Sequence, residues 1–152
     1  MIVDRLFHEL AVDELHGILR LRAEVFVVEQ NCVYLDVDGR DSEPGTRHMW
    51  VPGAALHAGG KPTTESQAIG AYLRVLDNGD HRTIGRVVTA AEFRGEGLAE
   101  QLVQHVLANT VGAWVLDAQT YLEGWYQRFG FARTGADFDD DGIMHLPMRR
   151  EI

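Results

Sequence analysis

The chain has 152 residues, of which 45% are hydrophobic and 24% charged, a composition and length that predict one globular domain over residues 1–152. Its formal net charge of −9 argues against binding of nucleic acid or an anionic membrane, and no apolar run is long enough to cross a bilayer. Cys32 is the single cysteine, so no internal disulfide can form; together with the lack of a signal-peptide pattern, this predicts a cytoplasmic protein.

The first half of the chain predicts three strands and one helix. A strand over residues 2–10 precedes a helix that Asp13 is expected to cap. A short strand over 48–51 and an alternating strand from Ile69 onward follow, and the glycines and prolines of residues 52–66 between them predict a surface loop. The helix has apolar residues at helical spacing, namely Leu15, Ile18, Leu19, Val25 and Phe26.

The second half alternates strands and helices. Strands are expected over 83–90 and 114–116, with two closing strands near 131–135 and 143–149. Two helices are expected, one with Leu98, Leu102, Val103, Val106 and Leu107 on one face, the other with Leu122, Trp125, Tyr126 and Phe129 and an end at Gly130. The predicted fold is α/β: a mixed, mainly antiparallel sheet with helices on both faces.

A glycine-bearing turn joins the strand over 83–90 to the helix that begins near Leu98. The N–H groups of a helix N-terminus attract anions, and Gly95 and Gly97 let backbone approach an anion without a Cβ in the way. Arg94 adds a permanent positive charge. The segment predicts a pyrophosphate site. These features do not decide which nucleotide is bound, and the structural alternative is an ordinary turn at the start of a helix that binds no ligand.

Arg94-x-x-Gly97-x-Ala99 resembles the Arg/Gln-x-x-Gly-x-Gly/Ala motif of GNAT acetyltransferases, and Tyr126-x-x-x-Gly130-Phe131 is similar to that family's Tyr-x-x-x-Gly-Phe. The resemblance implies acetyl-CoA as co-substrate, with no metal. It implies that the turn holds the pyrophosphate and that a strand edge pairs with the pantetheine. The implied cofactor-binding residues are Val87, Val88, Thr89, Arg94, Gly95, Glu96, Gly97, Leu98 and Ala99.

The segments 21–32, 34–41 and 141–145 resemble the ElaA-like subgroup of this family, so the likeness spans nearly the whole chain. The loop over 52–66 is its main departure, because it is longer and richer in glycine than the subgroup leads one to expect. The acceptor of the acetyl group is not implied by this likeness. A small-molecule or peptide amine is the expected acceptor, and a homodimer is the default expectation for a small enzyme of this kind.

The family pattern implies catalytic roles for Tyr126, as the acid that protonates the departing thiolate, and for a backbone N–H near Val88, as a donor to the oxyanion. Glu29, at the end of the first helix, is the first candidate for general base. The structural alternatives are that Tyr126 only packs in the apolar face of its helix and that Glu29 is a solvated carboxylate at a helix end. Deprotonation of the amine by water is also open.

The acceptor side has four further candidates, which are Asp36, Asp38, His48 and His145. Each histidine could instead be a hydrogen-bonded structural residue, and the acidic run could be a solvated turn. A calcium loop is excluded, because counting from Asp36 places Asp41 where the glycine is needed and Arg47 where the glutamate is needed.

Two other functions stay open. One is a non-catalytic acyl-CoA-binding or sensor protein on the same fold, which would share the pyrophosphate turn but not need Tyr126. The other follows from Arg22-x-x-Val25-Phe26, which faintly resembles acyl-homoserine-lactone synthases, although this chain is short for that group.

Overall fold

In the computed structural model, which describes residues 1–53 and 68–151, eight strands form one sheet in the order β1-β2-β3-β4-β5-β8-β6, with β7 paired to β8. Neighbouring strands are antiparallel except for β4 and β5, which are parallel. The strands are β1 (Val3–Leu6), β2 (Arg47–Pro52), β3 (Ile69–Asp77), β4 (His81–Thr89), β5 (Ala113–Gln119), β6 (Ala132–Arg133), β7 (Phe138–Asp140) and β8 (Ile143–Arg150).

Three α-helices cover the two faces of this sheet. They are α1 (Val12–Arg22), which continues as a π-helical segment Ala23–Glu29, α2 (Leu98–Asn109) and α3 (Glu123–Gln127). Because side chains alternate along β2 and β3, Met49 and Leu73 pack in the cluster that includes α2, whereas Trp50 and Tyr72 pack against Ile18 of α1. The predicted mixed, mainly antiparallel sheet with helices on both faces is confirmed.

The apolar face predicted for α2 is buried as expected, at Leu98, Leu102, Val103 and Val106. Each such side chain contributes about 1.5–3 kcal/mol of transfer free energy, so this face fixes the start of α2 against the sheet. The position of that start matters for the site, because it places the Arg94–Gly97 turn at the end of β4.

Several predicted boundaries were wrong in detail. The first strand ends at Leu6 and passes into a 3₁₀ turn, Phe7–Glu9. Asp13 is not the cap of α1, because Ala11 occupies that position and its N–H donates to the Glu14 carboxylate at 2.8 Å. β7 was not predicted, and the turn after it contains Gly142, which has a φ of 85° and whose N–H donates to Asp139.

The predicted loop over residues 52–66 lies outside the described residues, apart from Pro52 and Gly53. Among the helices that the structure describes, none combines the length and apolarity needed to span a membrane.

Candidate active site

A cleft opens in the middle of the sheet where β4 and β5 separate. Their parallel pairing is limited to the first three residues of β4, His81–Thr83, which lie opposite 113–115. Beyond that point Val87, Val88 and Thr89 line cavities instead of pairing with β5. The backbone edge of β4 is therefore available to an extended ligand.

A bulge in β4 helps to create this edge. The register of β3 and β4 shifts between Tyr72 and Arg74, and Arg86 lies in the left-handed region with a φ of 52°. Such a backbone costs about 1–3 kcal/mol in a residue with a side chain and persists only when its surroundings hold it. The Arg86 side chain supplies that hold: its Nη2 donates to the Asp36 carbonyl oxygen at 3.1 Å, and its guanidinium lies 5.5 Å from the centre of the Tyr34 ring.

The acidic run after α1 forms a buried ion network with two further arginines. Arg22 donates from Nε to Asp36 at 2.9 Å and from Nη1 to Asp41 at 2.6 Å. Arg74 donates to both oxygens of Asp38 at 2.9 Å and to Asp41 at 3.2 Å. Arg22 and Arg74 are 0% and 3% exposed, so the aspartates compensate charges that water does not reach.

The network changes the interpretation of two acceptor-side candidates. Burial alone would raise the pKa of Asp38, but hydrogen bonds from Arg74 and the Arg40 backbone hold that pKa well below its ordinary value. Asp36 is buried and ion-paired to Arg22 and Arg86. Both carboxylates thus form ion pairs with arginines, and through Arg86 they stabilise the β4 bulge.

His48 does not reach the cleft, which contradicts its assignment to the acceptor side. Its side chain is fully buried, with Nδ1 2.7 Å from the Tyr72 hydroxyl and Nε2 3.0 Å from the Asp41 carbonyl oxygen. Burial lowers the pKa of His48. The physical reason is its surroundings: Tyr72 of β3 and the Asp41 backbone enclose the ring and satisfy both of its nitrogens, whereas Arg74, opposite His48 in the register, does line the large cavity.

Two cavities meet at the end of β4, one of about 800 Å³ and one of about 380 Å³. The small one lies over the start of α2, and the large one extends between β4, β5 and the β7–β8 turn. The residues that line both are Val87, Val88, Thr89, Arg94, Leu122 and Tyr126. This shared wall contains four of the nine predicted cofactor residues, and Gly95, Gly97, Leu98 and Ala99 line the small cavity beside it.

The small cavity contains the predicted anion site. Gly95 and Gly97 have φ values of 85° and 74°, and Gly97 is the N-cap of α2. The first N–H groups of a helix have no intrahelical partner and carry the positive end of its dipole. Leu98 and Ala99 also line the cavity, whereas Glu96 is exposed and lines neither cavity.

Arg94 connects the two cavities and is paired with Glu29. Its Nη1 and Nη2 donate to the two Glu29 oxygens at 2.9 and 2.7 Å, and its Nε donates to the Thr89 carbonyl at 3.3 Å. The hydrogen bond from Arg94 lowers the pKa of Glu29. A carboxylate held in this way is a weaker base than a free one.

Tyr126 lies where the cavities meet. Its side chain is 6% exposed, and its ring packs edge-on against Trp125 and Phe131 at centroid distances of 4.8 and 6.1 Å. Within the described part of the chain its hydroxyl has no hydrogen-bond partner. Burial raises the pKa of the phenol, which therefore keeps its proton and can donate it only to a ligand in the cleft.

The far wall of the large cavity includes Cys32, Asp117, Asp140, Asp141 and His145. The Cys32 thiol donates to the Asp141 carbonyl at 3.3 Å. Burial raises the pKa of Asp117, which also interacts electrostatically with His145. Sequence reasoning missed Asp117, because it alternates with buried Leu116 and Ala118 as an ordinary outward strand residue would. The available signal was its position on β5, the strand that separates from β4 at the cleft.

The residues at 1–53 and 68–151 contain no group of three His, Cys, Asp or Glu side chains arranged to hold a metal ion.

Comparison with known proteins places these features in a family. A sequence model of the acetyltransferase (GNAT) domain matches residues 62–152. Escherichia coli ElaA is 37% identical over 95% of this chain and 92% of its own length, and its crystal structure superposes with a TM-score of 0.84 over 99% of both chains.

A UPF0039 protein of Mycobacterium tuberculosis is 39% identical over 90% of this chain and 83% of its own length. An acyl-CoA N-acyltransferase of Pseudomonas aeruginosa is 34% identical in structure-based comparison, with a TM-score of 0.83 over 99% of this chain and 98% of that one. The chain therefore belongs to the GNAT acetyltransferase family, with ElaA as a homologue.

Proposed function

We propose that this chain, as a single domain over residues 1–152, transfers the acetyl group of acetyl-CoA to a primary amine by direct attack in a ternary complex. Family membership and fold support an acyltransferase in general. The observation that carries the finer proposal is the meeting of two cavities at the edge of β4, with Tyr126 at their junction and its hydroxyl without a hydrogen-bond partner among the described residues. One cavity fits the donor and the other the acceptor.

The small cavity and the β4 edge fit coenzyme A. The turn from Arg94 to Ala99 would hold the pyrophosphate through the first N–H groups of α2 and the Arg94 guanidinium. A Cβ built on Gly95 or Gly97 meets no protein atom within 4 Å, so the space in front of these glycines is open to a ligand. The edge of β4 that faces β5 would pair with the pantetheine over Val87 to Thr89, because among the described residues no strand pairs with that edge there.

Tyr126 would act on the sulfur atom of acetyl-CoA. In the proposed reaction the amine nitrogen bonds to the thioester carbon, the carbon–sulfur bond breaks, and the phenol donates its proton to the departing sulfur. A backbone N–H near Val88 would donate to the carbonyl oxygen as negative charge develops on it. The raised pKa keeps the phenol protonated until the more acidic thiol, of pKa about 8.5, leaves as an anion.

Glu29 as the general base stays a prediction. It lines the large cavity, but its ion pair with Arg94 engages both of its oxygens and lowers its pKa. The acceptor, a small-molecule or peptide amine, would enter the large cavity from the side of His145 and Asp117. The buried free thiol of Cys32 suits a cytoplasmic protein, and the homodimer also stays a prediction.

The test is release of coenzyme A thiol from acetyl-CoA, with and without amines, by the wild type and Tyr126→Phe. Since a general acid contributes about 10²–10⁴-fold, the variant should lose at least 100-fold in kcat while its affinity for acetyl-CoA stays within about threefold. His16→Asn, which changes an exposed side chain of α1 outside both cavities, is the control and should keep full activity. Equal turnover in all three proteins would contradict the role of Tyr126. Binding of acetyl-CoA with no transfer to any amine would favour the sensor.

A further inference from the structure

His145 lies on β8 in the far wall of the large cavity, and its ring is fixed by two contacts. Nδ1 lies 2.8 Å from the Ile143 carbonyl oxygen, and the ring stacks on Phe138 with centroids 6.0 Å apart and an interplanar angle of 26°. A carbonyl oxygen can only accept a hydrogen bond, so Nδ1 carries the proton of the neutral ring. Nε2 is then left with its lone pair, the arrangement that a proton acceptor requires.

Acidic side chains surround His145 on this wall of the large cavity. On the neighbouring strand β5, Gln119 lies opposite His145 in the register and Asp117 lies opposite Pro147, so Asp117 and His145 are diagonal neighbours on one face. Asp140 of β7 and Asp141 of the adjoining turn line the same cavity, and Cys32 joins them from the segment after the π-helical turn. Among the described residues, this wall has no arginine or lysine side chain.

Glu29 is in the opposite electrostatic situation. It shares both oxygens with a guanidinium, which stabilises the carboxylate and disfavours its protonation. If His145 is protonated, its positive charge interacts favourably with Asp117. If Glu29 is protonated, its ion pair with Arg94 is lost. Of the two candidate bases, Glu29 is held by an arginine, whereas His145 presents Nε2 to the cavity and has the Asp117 carboxylate as a diagonal neighbour.

Resting on the proposed acetyl transfer, we infer that Nε2 of His145 takes the proton of the acceptor ammonium, and that Asp117 is a positioning residue that stabilises the resulting imidazolium. The neutral amine then forms its bond to the thioester carbon as the carbon–sulfur bond breaks. The electron pair goes to sulfur, which takes the Tyr126 proton. The second proton of the attacking nitrogen returns to Tyr126 through solvent, and the imidazolium releases the one net proton to solvent.

The experiment compares the pH dependence of kcat/KM for the wild type, His145→Asn, Asp117→Asn and Glu29→Gln. Asparagine at 145 places an amide nitrogen where Nδ1 lies, so it can still donate to the Ile143 carbonyl but has no basic atom. His16→Asn changes an exposed histidine of α1 and is the matched control. The probes are spermidine, 1,3-diaminopropane and a lysine peptide with a blocked N-terminus, and acetyl-CoA affinity is measured for every variant.

We expect His145→Asn to lose at least 100-fold in kcat/KM near neutral pH at unchanged acetyl-CoA affinity, with the loss narrowing at high pH as the amine sheds its own proton. Asp117→Asn should shift the acidic limb of the wild-type profile to lower pH, which a merely structural residue would not do. Activity of His145→Asn within threefold of the wild type, or loss in Glu29→Gln instead, overturns the inference while the proposed function stands. No transfer by the wild type to any probe overturns both.

Discussion

Replacing Asp41 with asparagine removes the negative charge shared by two buried arginines while keeping the shape of the side chain. Asp41 Oδ1 accepts from Arg22 at 2.6 Å and from Arg74 at 3.2 Å, and Asp41 itself is 5% exposed. The amide oxygen of asparagine can still accept hydrogen bonds from these arginines, but it compensates neither charge. Both guanidiniums are too deeply buried to be stabilised by water instead.

Removing one partner from a buried ion pair costs about 3–5 kcal/mol, and the neighbouring Asp36 and Asp38 still compensate part of the positive charge, so we expect the low end, about 3 kcal/mol. A domain of this size loses about 2–4 °C of melting temperature per kcal/mol. The melting temperature of Asp41→Asn should therefore fall by about 6–12 °C. Loss of the bulge support should also weaken acetyl-CoA binding.

Urea unfolding measures this free energy directly. Asp4→Asn is the matched control, because Asp4 makes a two-point ion pair with Arg47 at 3.0 and 2.7 Å on the surface, where such pairs contribute about 0–1 kcal/mol. Equal, small losses in both variants would refute the reasoning from burial.

The pH dependence of stability provides a second check on Asp41. Burial alone would raise the pKa of Asp41, but the hydrogen bond and charge of Arg22, together with the charge of Arg74, lower it. A carboxyl with a lowered pKa stabilises the fold above its unfolded pKa, about 3.9, and this contribution is lost as the pH falls below that value. Below pH 4 the wild type should therefore lose stability more steeply than Asp41→Asn.

Three further predictions concern the cleft. Glu29→Gln frees Arg94 for the pyrophosphate, so calorimetry should show acetyl-CoA binding about two- to fivefold tighter; weaker binding would mean that Glu29 itself supports the donor site. Gly97→Ala puts a Cβ on a residue in the left-handed region, so the free energy of unfolding in urea should fall by about 1–2 kcal/mol. The same Cβ should lower the affinity for acetyl-CoA at least tenfold, and an unchanged affinity would contradict an anion site at this turn. Asp117 is exposed to the cleft, but partial desolvation there raises its pKa, so its ionisation destabilises the folded state as pH rises above about 3.9. Asp117→Asn should lose less stability than the wild type over that range, and parallel pH profiles would contradict the desolvation of this carboxyl.

The donor side of the site could be predicted from sequence because its signals are local. Arg94, Gly95 and Gly97 form a turn between one strand and one helix, and the helix face that follows repeats at ordinary spacing. Tyr126, Gly130 and Phe131 are also close in the chain, and the Phe131 N–H donates back to the Tyr126 carbonyl at 3.4 Å. Short motifs of this kind keep their geometry wherever the sheet places them.

The acceptor side could not be predicted, because its residues acquire their roles from distant partners. Asp36 and Asp38 had the pattern of a solvated or acceptor-facing turn, but Arg74 and Arg86, more than thirty positions away, engage them. His48 and His145 are equivalent in sequence, yet Tyr72 and the Asp41 backbone enclose the first, whereas the second lines the cavity. Asp117 carried no local signal, since only the divergence of β4 and β5 exposes it to the cleft.

The most direct test of the central claim is calorimetric binding of acetyl-CoA to the wild type and to Arg94→Gln, with Arg47→Gln, an exposed ion-paired arginine of β2, as control. A hydrogen bond to a charged group contributes about 1.5–3 kcal/mol, so Arg94→Gln should bind at least tenfold more weakly, whereas Arg47→Gln should match the wild type. No binding by the wild type at millimolar acetyl-CoA, or equal affinity in all three proteins, would contradict a coenzyme A pyrophosphate site at the turn between β4 and α2.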